Sequence, residues 1–138
     1  METTKINIET IISADTKKVW EYYTTPKHIT KWNFASDDWH CPKAENDLRI
    51  GGKLLSRMEA KDGSFGFDFE AYYDEVIEYK KITYSMTDGR RATTVFEDHN
   101  GKTKVTTTFD AEKENPVEMQ KEGWQAILDN FQKYVESN

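Results

Sequence analysis

The chain has 138 residues, 32% of them charged, with a net charge of -6 and a pI near 5.1, a balance that argues against sequence-independent nucleic-acid binding, which needs clustered Lys and Arg to neutralise phosphates. Mean hydropathy is -0.86, there is no apolar run near the roughly 20 residues that a membrane span requires, and residues 1–12 carry no charged-then-apolar leader, so a soluble protein without a membrane partner is expected. The single cysteine, Cys41, cannot form an internal disulfide, which fits a reducing cytoplasm, and the length fits one domain, residues 1–138, that buries about two thirds of its unfolded surface.

Residues 6–11 (Ile6-Asn7-Ile8-Glu9-Thr10-Ile11) alternate with period two and read as a strand half covered by core. Residues 13–16 then supply capping types, and Val19, Trp20, Tyr22 and Tyr23 make a short helix that ends before Thr25-Pro26. Pro26 suits the first position of a second short helix carrying Ile29 and Trp32. Residues 33–47 have no clean period, yet Phe34, Trp39 and Pro42 are out of place in a solvated loop, and the segment is expected to fold over something.

Residues 48–60 resume as a strand interrupted by Gly51-Gly52, a pair that in a strand interior marks a bulge or sharp bend. After a turn at Lys61-Asp62-Gly63-Ser64, residues 65–71 alternate rings with small or acidic groups, and residues 73–77 continue that strand. Residues 81–86 pair back with Ile82, Tyr84 and Met86 on one face, Asp88-Gly89 turns the chain, and residues 92–97, Asn100-Gly101 and residues 103–109 complete a meander.

The end of the chain is a long amphipathic helix. Asn115 is expected to cap its first turn, Pro116 to take the first helical position, and Glu118 to reach back to the cap. Val117, Trp124, Ile127, Leu128, Phe131 and Val135 fall on one arc at helical spacing. Gly123 lies at the edge of that arc, where glycine costs about 1 kcal/mol relative to alanine, and it predicts a close approach of the helix backbone to a sheet. The order is strand, two short helices, five further antiparallel strands and one long helix. This is an α+β chain in which a bent sheet of about six strands holds the helix against its concave face. Four Trp, seven Tyr and seven Phe either fill that interior or line a hollow in it.

Ala14-Asp15-Thr16-Lys17-Lys18-Val19-Trp20, Pro26, Trp32, Asp47-Leu48-Arg49-Ile50-Gly51-Gly52-Lys53, Asp62-Gly63 and Gly123-Trp124, in this order, resemble homologues of the activator of the Hsp90 chaperone ATPase. Those proteins lie within the START and birch-pollen-allergen (SRPBCC) superfamily, and the resemblance runs from about Ile6 to Val135. It implies a helix-grip fold with a hydrophobic cavity between sheet and C-terminal helix. It does not imply one activity, because members serve as small-ligand binders, cyclase-like enzymes, resistance proteins or chaperone regulators. One departure is Asp15, where many relatives carry proline; aspartate is itself a good cap.

Chemistry has few signposts. His28, His40 and His99 are far apart and form no zinc-ligand pair with each other or with Cys41, so no metal is expected. His40-Cys41 joins base and nucleophile types, but adjacent side chains often point apart. No phosphate loop, dinucleotide fingerprint or nucleophile elbow is present, and no cofactor is expected. Asp68 and Glu70 alternate with Phe67 and Phe69, so if the rings face the helix the acids face water.

The candidate site is the hollow, framed by Trp32, Phe34 and Trp39, by Phe67, Phe69, Tyr84 and Met86 from the sheet, and by Trp124, Leu128 and Phe131 from the helix. Arg49, if turned inward past the Gly-Gly bend, would offer a planar donor for a carboxylate or phenolate. The leading expectation is a monomer or weak homodimer that binds a small apolar or aromatic molecule in a pocket gated by residues 33–47. The alternatives are a chaperone-ATPase regulator acting by protein contact, and a cyclase- or hydrolase-like enzyme using Tyr84, Arg49 or an acidic side chain.

Overall fold

The computed structural model describes residues 4–138; residues 1–3, part of the stretch read above for a leader, lie outside them. Among the described residues seven antiparallel strands form one curled sheet: β1 (Lys5–Ile12), β2 (Trp39–Asn46), β3 (Lys53–Ala60), β4 (Gly66–Ile77), β5 (Lys81–Met86), β6 (Arg91–His99) and β7 (Lys102–Asp110). Their spatial order is β1-β7-β6-β5-β4-β3-β2. Helices α1 (Thr16–Thr24) and α2 (Pro26–Trp32) follow the first strand, and α3 (Val117–Ser137) closes the chain. This is the α+β helix-grip arrangement. No helix among the described residues is long and apolar enough to cross a membrane.

Local chemistry accounts for most boundaries. The Asp15 carboxylate accepts from the Lys18 amide at 2.8 Å and caps α1. Pro26 opens α2 from its first turn. Asn100 and Gly101 take φ of 57° and 86°, the left-handed pair that a tight β6–β7 hairpin requires.

The sheet has one strand more than the sequence predicts. Most of residues 33–47 is not a cover but β2, an edge strand paired to β3 through Ala44↔Ser56 and Asn46↔Leu54. Its period was hidden because the register slips between His40 and Lys43, and Pro42, which has no ladder donor, is tolerated only at such an edge or bulge. Residues 33–38 alone remain as a connection, so the long gate expected from the sequence is not there.

Gly51-Gly52 sits in the β2–β3 turn rather than inside a strand. Gly51 has φ of +83°, and a Cβ on Gly52 would meet the Asp47 carbonyl oxygen at 2.0 Å. The pair still docks on the sheet, since the Gly51 amide donates to the Tyr73 carbonyl at 2.8 Å and the Tyr73 amide to the Gly52 carbonyl at 3.0 Å.

The start of α3 also differs from expectation. Pro116 precedes the first helical residue, and Asn115 gives no side-chain cap. Gln120 closes the turn instead: its Oε1 accepts from the Glu112 amide at 2.8 Å and its Nε2 donates to the Asn115 carbonyl at 2.7 Å. Gly123 is not pressed against the sheet, because a Cβ built there meets nothing within 4 Å.

The core lies between α3 and the concave face. Leu128, Phe131 and Val135 descend from the helix onto Ile6, Ile8, Val105 and Phe109, all buried. Each such side chain contributes about 1.5–3 kcal/mol by leaving water. Trp20, Tyr23, Trp32, Phe96 and Phe131 join α1 and α2 to this core through edge-on, tilted and stacked ring contacts at 4.7–5.4 Å.

Candidate functional site

Packing stops short in one place. Between α3 and the inner face of β3–β5 lies a cavity of about 220 Å³. Period two brings three successive inward residues of β3 to it, Leu54, Ser56 and Met58, then Phe67, Phe69 and Tyr73 of β4, and Ile82 and Tyr84 of β5. Ile8 and Thr107 come from β1 and β7, Tyr23 from α1, Ile29, Trp32 and Asn33 from the end of α2, and Trp124, Ile127 and Leu128 from one face of α3.

Six residues singled out from the sequence therefore meet at the cavity: Trp32, Phe67, Phe69, Tyr84, Trp124 and Leu128. Five are elsewhere. Met86 and Phe131 face inward but are packed into solid core, 6% and 0% exposed. Phe34 lies in the 33–38 connection, half-buried. Trp39 packs on Phe65 and on the exposed edge of Phe67, at 6.0 and 6.1 Å, at the rim rather than in the lining. Arg49 stands in the β2–β3 turn with its side chain 77% exposed and pairs with Asp47 at 2.9 Å, so it offers the cavity nothing.

Sequence reasoning missed the β3 row, Tyr23 and Tyr73. Alternation at residues 54, 56 and 58 was available as a signal, but a serine between Leu54 and Met58 broke the apolar pattern. Tyr23 lies three residues, about one turn, after Trp20, on the face of α1 that Trp20 carries into the core.

No lining side chain is ionic. The polar groups are hydroxyls, the Asn33 amide and the indole N–H of Trp32 and Trp124. The Tyr73 hydroxyl donates to Asn46 Oδ1 at 2.5 Å, Thr107 Oγ1 shares a hydrogen bond with Thr94 Oγ1 at 2.9 Å, and Tyr23 reaches the same Thr94 oxygen at 3.4 Å. Burial pushes the Tyr84 phenol well above its ordinary pKa, with Tyr23 and Tyr73 adding to the effect. Burial likewise raises Tyr73 and Tyr23. All three stay neutral, able to donate or accept a hydrogen bond but not to carry charge.

The other titratable groups lie apart from the cavity. Asp68 pairs with Arg57 at 3.3 Å and Glu70 with Lys53 at 2.9 Å. His40 Nε2 is 3.6 Å from Glu59 Oε1, while the Cys41 thiol is buried and raised in pKa by that burial. The two neighbours thus have separate partners and make no nucleophile–base pair. His28 Nδ1 bonds the Tyr134 hydroxyl at 2.7 Å and its ring stacks on Tyr22. Among the described residues no three His, Cys, Asp or Glu side chains gather to hold a metal ion.

Similarity to known structures follows the same architecture. The solution structure of the AHSA1-like protein of Aeromonas hydrophila superposes with a TM-score of 0.92 at 42% identity, over 97% of this chain and 93% of that one. A solution structure from Cytophaga hutchinsonii gives 0.84 at 46% identity, again over 97% and 93%. A crystal structure from Chromobacterium violaceum gives 0.86 over 98% and 99%, but at 21% identity it shares the fold alone. No curated protein matches the chain. Residues 13–136 match the family described as Activator of Hsp90 ATPase homolog 1-like protein, and with nearly the whole length covered the chain belongs to that family, within the SRPBCC superfamily.

Proposed function

We propose that this protein binds a small, uncharged, mainly apolar molecule in the cavity between α3 and the curled sheet. The observation that carries the reading is a hollow of about 220 Å³ whose walls are aliphatic and aromatic and hold no ionic side chain. A dry cavity of about 150 Å³ is enough to take up benzene, so this one has room for a two-ring compound. Trp32, Phe67, Phe69, Tyr84, Trp124 and Leu128 would supply the contact surface. Neutral hydroxyls orient a ligand but provide no base or nucleophile, which favours binding over turnover.

A thermal-shift screen against neutral one- and two-ring aromatic, terpenoid and small polyketide compounds tests it, because a ligand at 100 times its Kd adds about 2.7 kcal/mol of stability. A dose-dependent rise in Tm is expected for at least one class. A flat response across the panel would overturn the reading.

A second reading takes up the family's name: contact with an Hsp90-type chaperone. It has one observation of its own, the cluster of Trp39 with Phe65 and Phe67, the last two 61% and 42% exposed. Rings left in water at a strand end are a common mark of protein contact. Stimulation of a purified chaperone's ATPase that is lost in Phe65→Ser would support it, and an ATPase rate indifferent to a molar excess of this protein would remove it.

A further inference from the structure

We infer that the cavity's ligand carries a neutral hydrogen-bonding oxygen, a carbonyl or a hydroxyl, and that the Ser56 hydroxyl meets it. The inference rests on the pocket-binding reading above and specifies its chemistry. Ser56 stands on the inner face of β3 between Leu54 and Met58, lines the cavity, and is 1% exposed. Its Oγ is buried and has no oxygen or nitrogen hydrogen-bond partner among the described residues, its polar neighbour being the Cys41 thiol.

That is an unusual position for a hydroxyl. A buried polar group without a partner is unfavourable, whereas an alanine at the same place would cost nothing. The neighbouring Cys41 relieves it only weakly: the thiol lies within hydrogen-bonding reach of Ser56, but it also donates to the Lys43 carbonyl at 3.5 Å, and sulfur is a weak acceptor. Two other wall hydroxyls are satisfied within the protein, Tyr73 by Asn46 and Thr107 by Thr94. Ser56 therefore holds an open hydrogen-bonding position toward the hollow.

Serine both donates and accepts, so a ligand carbonyl or a ligand hydroxyl satisfies it equally. A carboxylate or ammonium does not fit, because no lining residue supplies the opposite charge and an unpaired buried ion is strongly disfavoured.

The test uses 1-indanone, indane and indane-1-carboxylate, which share one ring system and differ in the oxygen. Each is titrated by NMR, with a reductant present to keep a thiol at 56 from pairing with Cys41, into the wild-type chain, Ser56→Ala and Ser56→Cys, the second variant exchanging the hydroxyl for a slightly larger, weakly hydrogen-bonding thiol. Both variants are expected to bind 1-indanone about three- to tenfold more weakly, the size of one neutral hydrogen bond. Indane binding should stay within about twofold, the carboxylate should bind least, and Ser56→Ala should melt no lower than wild type.

Equal loss for indanone and indane, or loss for neither while both bind, would overturn the role of Ser56 and leave the pocket standing. A lower Tm for Ser56→Ala would also overturn it, by showing that the hydroxyl has a structural partner. Carboxylate binding as tight as the ketone's would overturn the neutrality. Binding of none of the three to wild type would instead overturn the pocket itself.

Discussion

Trp124 stacks face to face on Phe109, with ring centroids 3.9 Å apart and planes 10° from parallel. Phe109 is fully buried on β7, and Trp124 also forms part of the cavity wall. One contact thus fastens α3 to the sheet and sets the edge of the hollow, which ties stability to binding at a single residue.

Trp124→Ala is expected to destabilise the fold by about 2–4 kcal/mol, from lost burial, the void left behind and the missing ring pair. Trp124→Phe should recover most of that loss. Urea unfolding gives both values; a change below about 0.5 kcal/mol, the range of an ordinary surface substitution, would mean that the stack does not hold the helix.

Gly123→Ala should stabilise the protein by about 0.5–1 kcal/mol. The position is inside α3, a Cβ there meets nothing within 4 Å, and alanine both favours helix and restricts the unfolded chain. This reverses the expectation from sequence, which placed the glycine against the sheet. Chemical denaturation decides between them: a loss of stability would restore the close approach.

Asp110 links the fold to acid. Burial works to raise its pKa, but the hydrogen bond from Lys5, the Arg91 amide at 2.9 Å and both positive charges outweigh it, and the carboxyl is held below its ordinary 3.8. A carboxylate more acidic in the folded state contributes stability above the unfolded pKa and loses it as pH falls through the folded value. Asp110→Asn should therefore be less stable at neutral pH, and its stability should fall less steeply than wild type below the ordinary aspartate range. Parallel acid-unfolding curves for the two proteins would contradict this.

Much of the fold was legible because local chemistry and global packing agree. Asp15 and Pro26 announce the two short helices, Asn100-Gly101 the tightest hairpin, and the spacing of Trp124, Leu128 and Phe131 the inner face of α3. The seventh strand was not legible, since Pro42 and the slip between His40 and Lys43 erase its period. The helix starts one residue later than the sequence predicts because Gln120, in the first turn of α3, does the work expected of Asn115.

For the cavity, periodicity reports which face a side chain takes but not where along that face packing fails. Met86 and Tyr84 share a face of β5, yet only Tyr84 borders the hollow. Ser56 was invisible for a related reason: its chemistry becomes notable only once the structure shows it buried with no polar neighbour stronger than the Cys41 thiol.

The binding reading is tested most directly by the tryptophan indole N–H signals. Of the four tryptophans, Trp32 and Trp124 line the cavity, whereas Trp20 packs against Tyr79 and Phe96. A ¹H–¹⁵N titration with the strongest compound from the thermal-shift screen should move the Trp32 and Trp124 signals in saturable fashion and leave Trp20 in place. Saturation with Trp32 and Trp124 unmoved, or with Trp20 alone displaced, would contradict binding between α3 and the sheet.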